Sequence, residues 1–359
     1  MRVLHLLVAG EIGGIEVLMR DYALFSSHEN HFLFAWSGGA IAEQIEKSGS
    51  KVTVLNKEKD GSCHILKTIL NICKNEKIDS VMVHHEAPLL RGALCLVKIM
   101  FPRIRLMSYV HRNAEDMCGY GVKINWIKKL IYNLSFGVSD EVIAISEFVK
   151  KSIIKTFHVN AKKIKVIYNG VDVKRYHPLK SKVQDVINLI YVGRLVEEKG
   201  VQLILKSLAQ LNEKVKYHLK IVGDGSYRTK LQELAVKLEI DENVSFLGNR
   251  GDVAELLQAS DIFIHVPIVD EGFGITVVEA MASGLICICS DNGALPEIIT
   301  DGVNGYLVKK NDADALSDIL SEIYGSKEKV NDENMKYLAV KRAQQFSIEK
   351  FVNSLDEKV

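Results

Sequence analysis

No apolar run in this sequence reaches the roughly 20 residues that a membrane-spanning helix needs. The opening stretch MRVLHLLVAG has one basic residue and a short apolar run, but no small-residue cleavage pattern. We therefore interpret it as a first β-strand and not as a signal peptide. With 47% hydrophobic residues, 25% charged residues and only 5 prolines, the composition is that of a soluble globular protein.

The cysteines also lack any metal-binding spacing. There are six of them: Cys63, Cys73, Cys95, Cys118, Cys287 and Cys289. Cys287 and Cys289 alternate along an apolar stretch, so we expect both to face one side of a sheet. A reduced, cytoplasmic chain is the simplest interpretation.

The net charge of +1 conceals two halves of opposite sign. Residues 1–175 hold 25 Lys and Arg against 17 Asp and Glu, whereas the remainder holds 21 against 28. A basic first half suggests contact with an anion, such as a phosphate or the inner face of a membrane. Solvated surface lysines would give the same count, so both interpretations stay open. We expect no nucleic-acid partner.

At 359 residues the chain is long enough for two domains. Strand-like apolar runs alternate with helix-length segments, which predicts parallel sheets covered by helices on both faces. The polar stretch HPLKSKVQD after Tyr176 interrupts the pattern, which restarts at INLIYVG. The sequence therefore predicts an α/β fold with two doubly wound, Rossmann-like domains that face each other across a cleft. Their predicted ranges are 1–177 and 186–340.

In such sheets ligands bind beyond the carboxyl ends of the strands, where loops lead into helices. The loop YVGRLVEEKG follows the first strand of the second half and places Arg194 and Lys199 between Gly193 and Gly200. Two cations beside a helix N-terminus suit a diphosphate, because Arg can contact two oxygens at once. Pairing of the two cations with Glu197 and Glu198 is the alternative.

The stretch DEGFGITVVEAMASG has glutamates near both ends of a glycine-broken turn. Gly272 and Gly274 allow close approach of the backbone to a ligand, and the following amides start a helix. Glu279 falls about one turn into that helix, where a carboxylate can bind a ribose diol, and Glu271 lies on the loop. A capping acid and an exposed helical acid are the structural alternative.

Three further loops are weaker candidates. IVGDG contains Gly223 and Gly225, which suit a tight turn without completing a dinucleotide fingerprint. In the first half, Gly13 and Gly14 predict a flexible loop whose amides contact phosphate or an acceptor. His111 follows another strand, where a histidine is more often structural, but it shares the predicted cleft.

One apparent metal motif has a simpler explanation. NDADAL carries Asp312 and Asp314 at an Asp-x-Asp spacing, but it directly precedes the helical pattern LSDILSEIY. We interpret Asp312 as an N-cap and Asp314 as a first-turn acid that the helix dipole stabilises. We expect no metal and no other cofactor.

Taken together and in this order, these loops resemble the retaining glycosyltransferases of family 4, which have the GT-B fold. The resemblance rests on GRLVEEKG, IVGDG, ASDIFIHVP, EGFGITVVEAMASG and GALPEIITDGVNGYLV, over residues 190–310. It is looser in the first half, at GGIE, His111, SE at 146–147 and NGVD. The segment AQQFSIEKFVNSL resembles the family's C-terminal helix, which implies that residues 341–359 cross back to the first domain.

The resemblance implies a catalytic set of His111, Arg194, Lys199 and Glu271. It implies a metal-independent transfer in which Arg194 and Lys199 stabilise the departing diphosphate. The implied donor-binding residues are Gly13, Gly14, Gly193, Arg194, Lys199, Gly223, Glu271, Gly272, Phe273, Gly274, Ile275 and Glu279.

The implied substrates are a nucleotide-sugar, favoured as a UDP-sugar, and a glycan or polyprenyl-linked glycan acceptor used in bacterial surface polysaccharide synthesis. The basic stretch from Lys98 to Lys129, with Lys123 and Trp126, suggests peripheral contact with an anionic inner-membrane surface. A nucleotide-sugar epimerase of the same fold and a non-catalytic sugar- or nucleotide-binding partner of another transferase are the alternatives.

Overall fold

The computed structural model describes residues 1–11, 13–117, 126–179, 186–212, 215–330 and 332–359. Contacts divide the chain into two compact units, one formed by Met1–Gly170 with Ile348–Val359 and the other by Val171–Ser347. Residues 180–185 of the predicted linker, Cys118 and Lys123 lie outside the described residues.

The first unit is built on a parallel sheet of seven strands in the order β3-β2-β1-β4-β5-β6-β7. The strands are β1 Arg2–Ala9, β2 Glu29–Ser37, β3 Lys51–Val54, β4 Ser80–Val83, β5 Arg105–Val110, β6 Glu141–Ala144 and β7 Ile164–Val166. The helices between them are α1 Gly14–Phe25, α2 Ala40–Lys47, α3 Lys57–Asn75, α4 Pro88–Met100, α5 Ala114–Met117, α6 Trp126–Val138 and α7 Glu147–Phe157.

The second unit repeats the plan with six parallel strands in the order β10-β9-β8-β11-β12-β13. The strands are β8 Ile187–Val192, β9 Tyr217–Val222, β10 Val244–Gly248, β11 Ile262–His265, β12 Ile286–Ser290 and β13 Tyr306–Val308. The helices are α8 Val201–Leu208, α9 Arg228–Lys237, α10 Val253–Gln258, α11 Ile275–Ala282, α12 Leu295–Ile298, α13 Ala313–Tyr324, α14 Lys327–Val330 and α15 Glu333–Ala343.

The prediction of two doubly wound α/β halves is confirmed. In both sheets the strand order reverses beside the first strand, between β1 and β4 and between β8 and β11. Apolar side chains of the strands and helices form a separate core in each unit. Ligands of such sheets bind where the strand order reverses, at the carboxyl ends of the strands.

The C-terminal segment is not one helix, in contrast to the prediction for residues 341–359. Helix α15 ends at Ala343, a 3₁₀ turn follows over Gln344–Phe346, and α16 spans Ile348–Asp356. Within the first unit, the Asp356 carboxylate accepts hydrogen bonds from the Tyr22 and Ser26 hydroxyls at 2.7 and 3.0 Å. It also accepts from the amide and hydroxyl of Ser27 at 3.0 and 2.9 Å. These four bonds fix α16 to the end of α1.

Asp312 confirms the structural interpretation of NDADAL. Its carboxylate accepts a hydrogen bond from the Ala315 amide at 3.0 Å and caps helix α13. Asp314 lies in the first turn and accepts from the Gln210 side chain at 2.9 Å. Both acids therefore have local structural partners.

Candidate functional site

The candidate site lies at the strand-order reversal of the second unit, where the loops after β8 and β11 run side by side. Gly200, at φ 73°, is the N-cap of α8, and a Cβ there would lie 1.9 Å from the Val266 carbonyl oxygen. The Ile268 amide donates to the Glu198 carbonyl at 2.9 Å. This backbone-to-backbone packing brings the two loops together and explains why the position needs glycine.

Lys199 and Glu271 meet across these loops. The Lys199 Nζ donates to Glu271 Oε2 at 2.6 Å, and His265 Nε2 lies 3.2 Å from the same oxygen. Burial alone would raise the pKa of Glu271, but the Lys199 charge and the His265 hydrogen bond lower it well below its usual range. Burial lowers the pKa of His265. The site therefore holds a carboxylate, an ammonium and a neutral imidazole.

This pairing decides the alternative that the sequence left open for Lys199. The ammonium pairs with Glu271, 72 positions away, and not with Glu197 or Glu198. A lysine ammonium carries three N–H groups, so Lys199 can hold Glu271 and still donate to a ligand. Arg194 differs, since its guanidinium is exposed and no described carboxylate forms a salt bridge with it.

Hydrogen bonds from the segment after β12 hold the loop after β11 that carries Glu271. The Asn292 side-chain amide donates to the carbonyls of Pro267 and Val269, both at 2.9 Å. The Ala294 amide donates to the Glu271 carbonyl at 2.8 Å. A Cβ at Gly293 would lie 2.3 Å from that carbonyl oxygen. These contacts fix the position of the backbone that carries the Glu271 side chain.

Helix α11 begins as the sequence predicts, directly after Gly274. Gly274 has a φ of 99° and makes no side-chain cap, and the first intrahelical bond runs from the Val277 amide to its carbonyl. The Ile275 and Thr276 amides precede that bond and point out of the helix start. Glu279 lies one turn into α11 and is half-buried.

Gly193 and Gly223 have a packing role. A Cβ at Gly223 would lie 2.0 Å from the Gly193 carbonyl oxygen, and one at Gly225 would lie 2.3 Å from the Leu195 carbonyl oxygen. The loops after β8 and β9 thus pack backbone against backbone. This geometry favours the turn interpretation of IVGDG.

In the first unit the two glycines after β1 do not form a flexible loop, so that part of the prediction is wrong. Gly13 is the N-cap of α1 and Gly14 is its first residue. A Cβ at Gly13 would lie 2.3 Å from Glu16 Oε2, and Glu16 Oε1 lies 3.1 Å from His85 Nε2. Ile12 lies outside the described residues.

His111 follows β5, as predicted, and is half-buried. Its ring packs on Tyr109, with the ring centroids 4.1 Å apart. Burial is the main cause that lowers its pKa well below the usual range. The imidazole is therefore neutral near pH 7.

Comparison with known proteins identifies the family. A model described as glycosyl transferases group 1 matches residues 172–339, and a model described as Glycosyltransferase Family 4 matches residues 12–175. The chain belongs to glycosyltransferase family 4. The two models together cover both halves of this family 4 glycosyltransferase.

Relatives of this family 4 glycosyltransferase include N-acetyl-alpha-D-glucosaminyl L-malate synthase of Bacillus anthracis, 29% identical over 69% of this chain and 65% of the relative. The O-antigen chain mannosyltransferase RfbU of Salmonella typhimurium is 31% identical over 61% of this chain and 58% of the relative. The chain thus spans about three fifths of the length of these curated relatives.

A solved structure of similar fold is Anabaena HepE in complex with UDP, with a TM-score of 0.86. It is 22% identical to this family 4 glycosyltransferase and covers 100% of this chain and 99% of its own. The likeness establishes the GT-B fold that the sequence predicts.

The sequence prediction missed His265. The signal was a histidine within or just after an otherwise apolar strand-like run, as in DIFIHV, and histidines also occur in VLHLLVA and SVMVHH. The roles predicted for the other site residues stay predictions, because the structure shows positions and contacts without a ligand.

Proposed function

We propose that this chain is a retaining glycosyltransferase that moves a sugar from a UDP-sugar to a glycan or polyprenyl-linked glycan acceptor in bacterial surface polysaccharide synthesis. The observation that carries the proposal is the contact of Lys199 with Glu271 at the strand-order reversal of the second sheet, on the same loop that carries the exposed Arg194. Family membership supports the class of reaction. The UDP found in the HepE structure supports the choice of nucleotide.

The residues can be assigned to parts of the donor. The exposed Arg194 guanidinium and the remaining N–H groups of Lys199 would bind the diphosphate, near the first amides of α11. Both contacts of Glu271 use Oε2, and Oε1 has no partner among the described residues, so Oε1 can accept from a sugar hydroxyl. Glu279 would hold the ribose diol.

The proposed reaction breaks the bond between the sugar C1 and the phosphate oxygen, and UDP leaves with the electron pair. The acceptor hydroxyl oxygen bonds to C1 from the same face, and its proton passes to the departing phosphate. The protein's part is to stabilise the charge that grows on the diphosphate. We propose that Arg194 and Lys199 do this without a metal ion, so EDTA should not weaken UDP binding.

The first test is nucleotide binding, measured as the shift in melting temperature with UDP, GDP, ADP and dTDP. We expect UDP to raise the melting temperature more than the others. Arg194→Gln should weaken UDP binding by roughly 10- to 100-fold, the value of one or two charge-assisted hydrogen bonds. Lys206→Gln, an exposed lysine of α8, is the matched control and should bind UDP as the wild type does. Equal UDP affinity in the Arg194 variant would remove that residue from the site.

Product analysis separates the proposed transferase from the alternatives. The wild type is incubated with UDP-sugars, with and without lipid-linked glycan acceptors, and the sugar products are resolved by chromatography. A retaining transferase forms a longer glycan in which the transferred sugar keeps the anomeric configuration that it had in the donor. An epimerase instead converts the donor into a different sugar nucleotide with no acceptor present. Nucleotide binding without any product would favour a non-catalytic partner.

The first unit has a surface suited to a lipid-linked acceptor. Helix α6 exposes four apolar side chains, and the end of α4 exposes two more; they are Trp126, Ile127, Leu130, Leu134, Ile99 and Met100. Lys128 of α6 and Arg103, which follows α4, are also exposed, while Lys98 pairs with Asp140 at 3.1 Å. Apolar and basic side chains together fit an anionic membrane interface. No helix among the described residues is long and apolar enough to cross a bilayer.

Vesicle sedimentation tests this surface. We expect the wild type to bind vesicles with anionic lipid and to bind neutral vesicles less. Trp126→Ser/Leu130→Ser should bind anionic vesicles at least tenfold more weakly, because it exposes less apolar surface to the interface. Val236→Ser, which removes a 61% exposed apolar side chain of the second unit, is the control. Equal binding to neutral and anionic vesicles would contradict the proposal.

A further inference from the structure

Three histidines of the first unit form one hydrogen-bonded chain that ends at Asn30. His5 lies in β1, His84 follows β4, and His111 follows β5. His5 Nε2 is 3.1 Å from Asn30 Oδ1, and His5 Nδ1 is 3.0 Å from His84 Nε2. His84 Nδ1 is 3.4 Å from His111 Nε2. The chain crosses the strand-order reversal between β1 and β4 and ends at His111, at the carboxyl end of β5.

Asn30 sets the direction of these bonds. Its Nδ2 donates to the His28 carbonyl at 3.2 Å, so the amide oxygen must be the atom that faces His5. Rotating the Asn30 side-chain amide by 180° would place Oδ1 against the His28 carbonyl oxygen. His5 therefore donates from Nε2 and, when neutral, accepts at Nδ1.

The donor and acceptor roles of His5 then determine those of His84 and His111. His84 must donate from Nε2 to His5 and accept at Nδ1, so His111 must donate from Nε2. All three rings are neutral, because burial lowers the pKa of His5 to about 4 and those of His84 and His111 well below the usual range. His5 also stacks on Phe32, at 4.6 Å between ring centroids.

We propose that Asn30, His5 and His84 are positioning residues that hold His111 as its Nε2–H tautomer, so that His111 Nδ1 accepts a hydrogen bond from a sugar hydroxyl. His111 Nδ1 has no partner among the described residues, and the residue is half-buried at the carboxyl end of β5. The tautomer follows from the hydrogen bonds between neutral rings, whereas its use toward a sugar rests on the function proposed above. The opposite tautomer would present a donor in place of the acceptor.

The tautomer can be read directly from ¹⁵N-histidine NMR of the unliganded protein, because protonated and unprotonated ring nitrogens have well-separated shifts. The signals of His111 are assigned by their loss in His111→Gln. We expect an unprotonated Nδ1 and a protonated Nε2 at His111. A protonated Nδ1 in the wild type would overturn the proposal without any other variant.

Two substitutions of His5 test whether this residue determines the tautomers of His84 and His111. His5→Leu removes the acceptor for His84, so both His84 and His111 should move their protons to Nδ1. His5→Asn keeps an acceptor oxygen near the position of Nδ1 and should preserve the wild-type tautomers. Unchanged His111 shifts in a folded His5→Leu protein would overturn the proposal.

UDP release from UDP-glucose, used as the probe substrate, tests the consequence for the sugar. We expect kcat/KM to fall about tenfold in His5→Leu, the effect of one lost hydrogen bond, and to return toward the wild-type value in His5→Asn. An unchanged kcat/KM despite altered tautomers would overturn the contact with the sugar. If the wild type shows the expected tautomer but no turnover, the failure belongs to the proposed donor and not to the histidine chain.

Discussion

Lys199→Met is expected to lower kcat by about 10²–10³-fold, the usual cost of removing one group that stabilises charge in a transition state. It should also reduce the free energy of unfolding of the second unit by about 2 kcal/mol. Breaking a fully buried ion pair costs about 3–5 kcal/mol, and we expect less here. The reason is that the side chains of Lys199 and Glu271 remain 21% and 19% exposed. Steady-state kinetics and hydrogen exchange of the β8 and β11 amides measure the two effects.

The matched control for this prediction is Lys199→Met/Glu271→Gln. Without the lysine, the Glu271 carboxylate keeps His265 as its one partner among the described residues, so a neutral amide should recover most of the lost stability. Activity should not recover, because the cation that serves the diphosphate is still missing. Recovery of both would show that Lys199 acts only by neutralising Glu271.

Gly200→Ala is expected to weaken UDP binding by at least 100-fold and to lower the melting temperature. The new Cβ would lie 1.9 Å from the Val266 carbonyl oxygen, so the loops that carry Lys199 and Glu271 must separate. Displacement by about 1 Å is enough to cost 10²-fold in a positioned site. Isothermal titration with UDP, and thermal unfolding of the same samples, measure the result.

Gly302→Ala separates the steric effect from backbone strain. Gly302 has a φ of 68°, close to the 73° of Gly200, but beyond its chain neighbours no atom of the described residues lies within 4 Å of its Cβ position. This variant should therefore lose only the roughly 1–3 kcal/mol of an unfavourable φ and should bind UDP normally. Equal losses of UDP affinity in the two variants would show that backbone strain, and not a clash between the Gly200 and Val266 loops, causes the loss.

The second unit shows what the sequence could predict. Alternating apolar runs and glycine-rich loops predicted a doubly wound parallel sheet and placed Lys199, Glu271 and the start of α11 in loops beyond the carboxyl ends of its strands. The ion pair between Lys199 and Glu271 could not be predicted, because it depends on how closely two loops pack. That distance is set by Gly200 against Val266, a contact between backbones that leaves no pattern in side-chain chemistry.

The first unit shows where the prediction failed. Gly13 and Gly14 suggested a loose loop, yet α1 begins there. The buried histidines His5 and His84 were overlooked, since a polar side chain in a strand has no pattern that names its partner. Such partners come from neighbouring strands, and only the strand order β2-β1-β4-β5 brings Asn30, His5, His84 and His111 into line.

The discontinuity of the first unit has a consequence for synthesis on the ribosome. Its core includes Ile348–Val359, and Asp356 ties that segment to Tyr22, Ser26 and Ser27. The contact spans more than 300 positions, so it can form only after the whole intervening unit has been translated. The second unit can therefore acquire its native structure first. Until α16 is synthesised, the surface of the first unit on which α16 packs stays exposed.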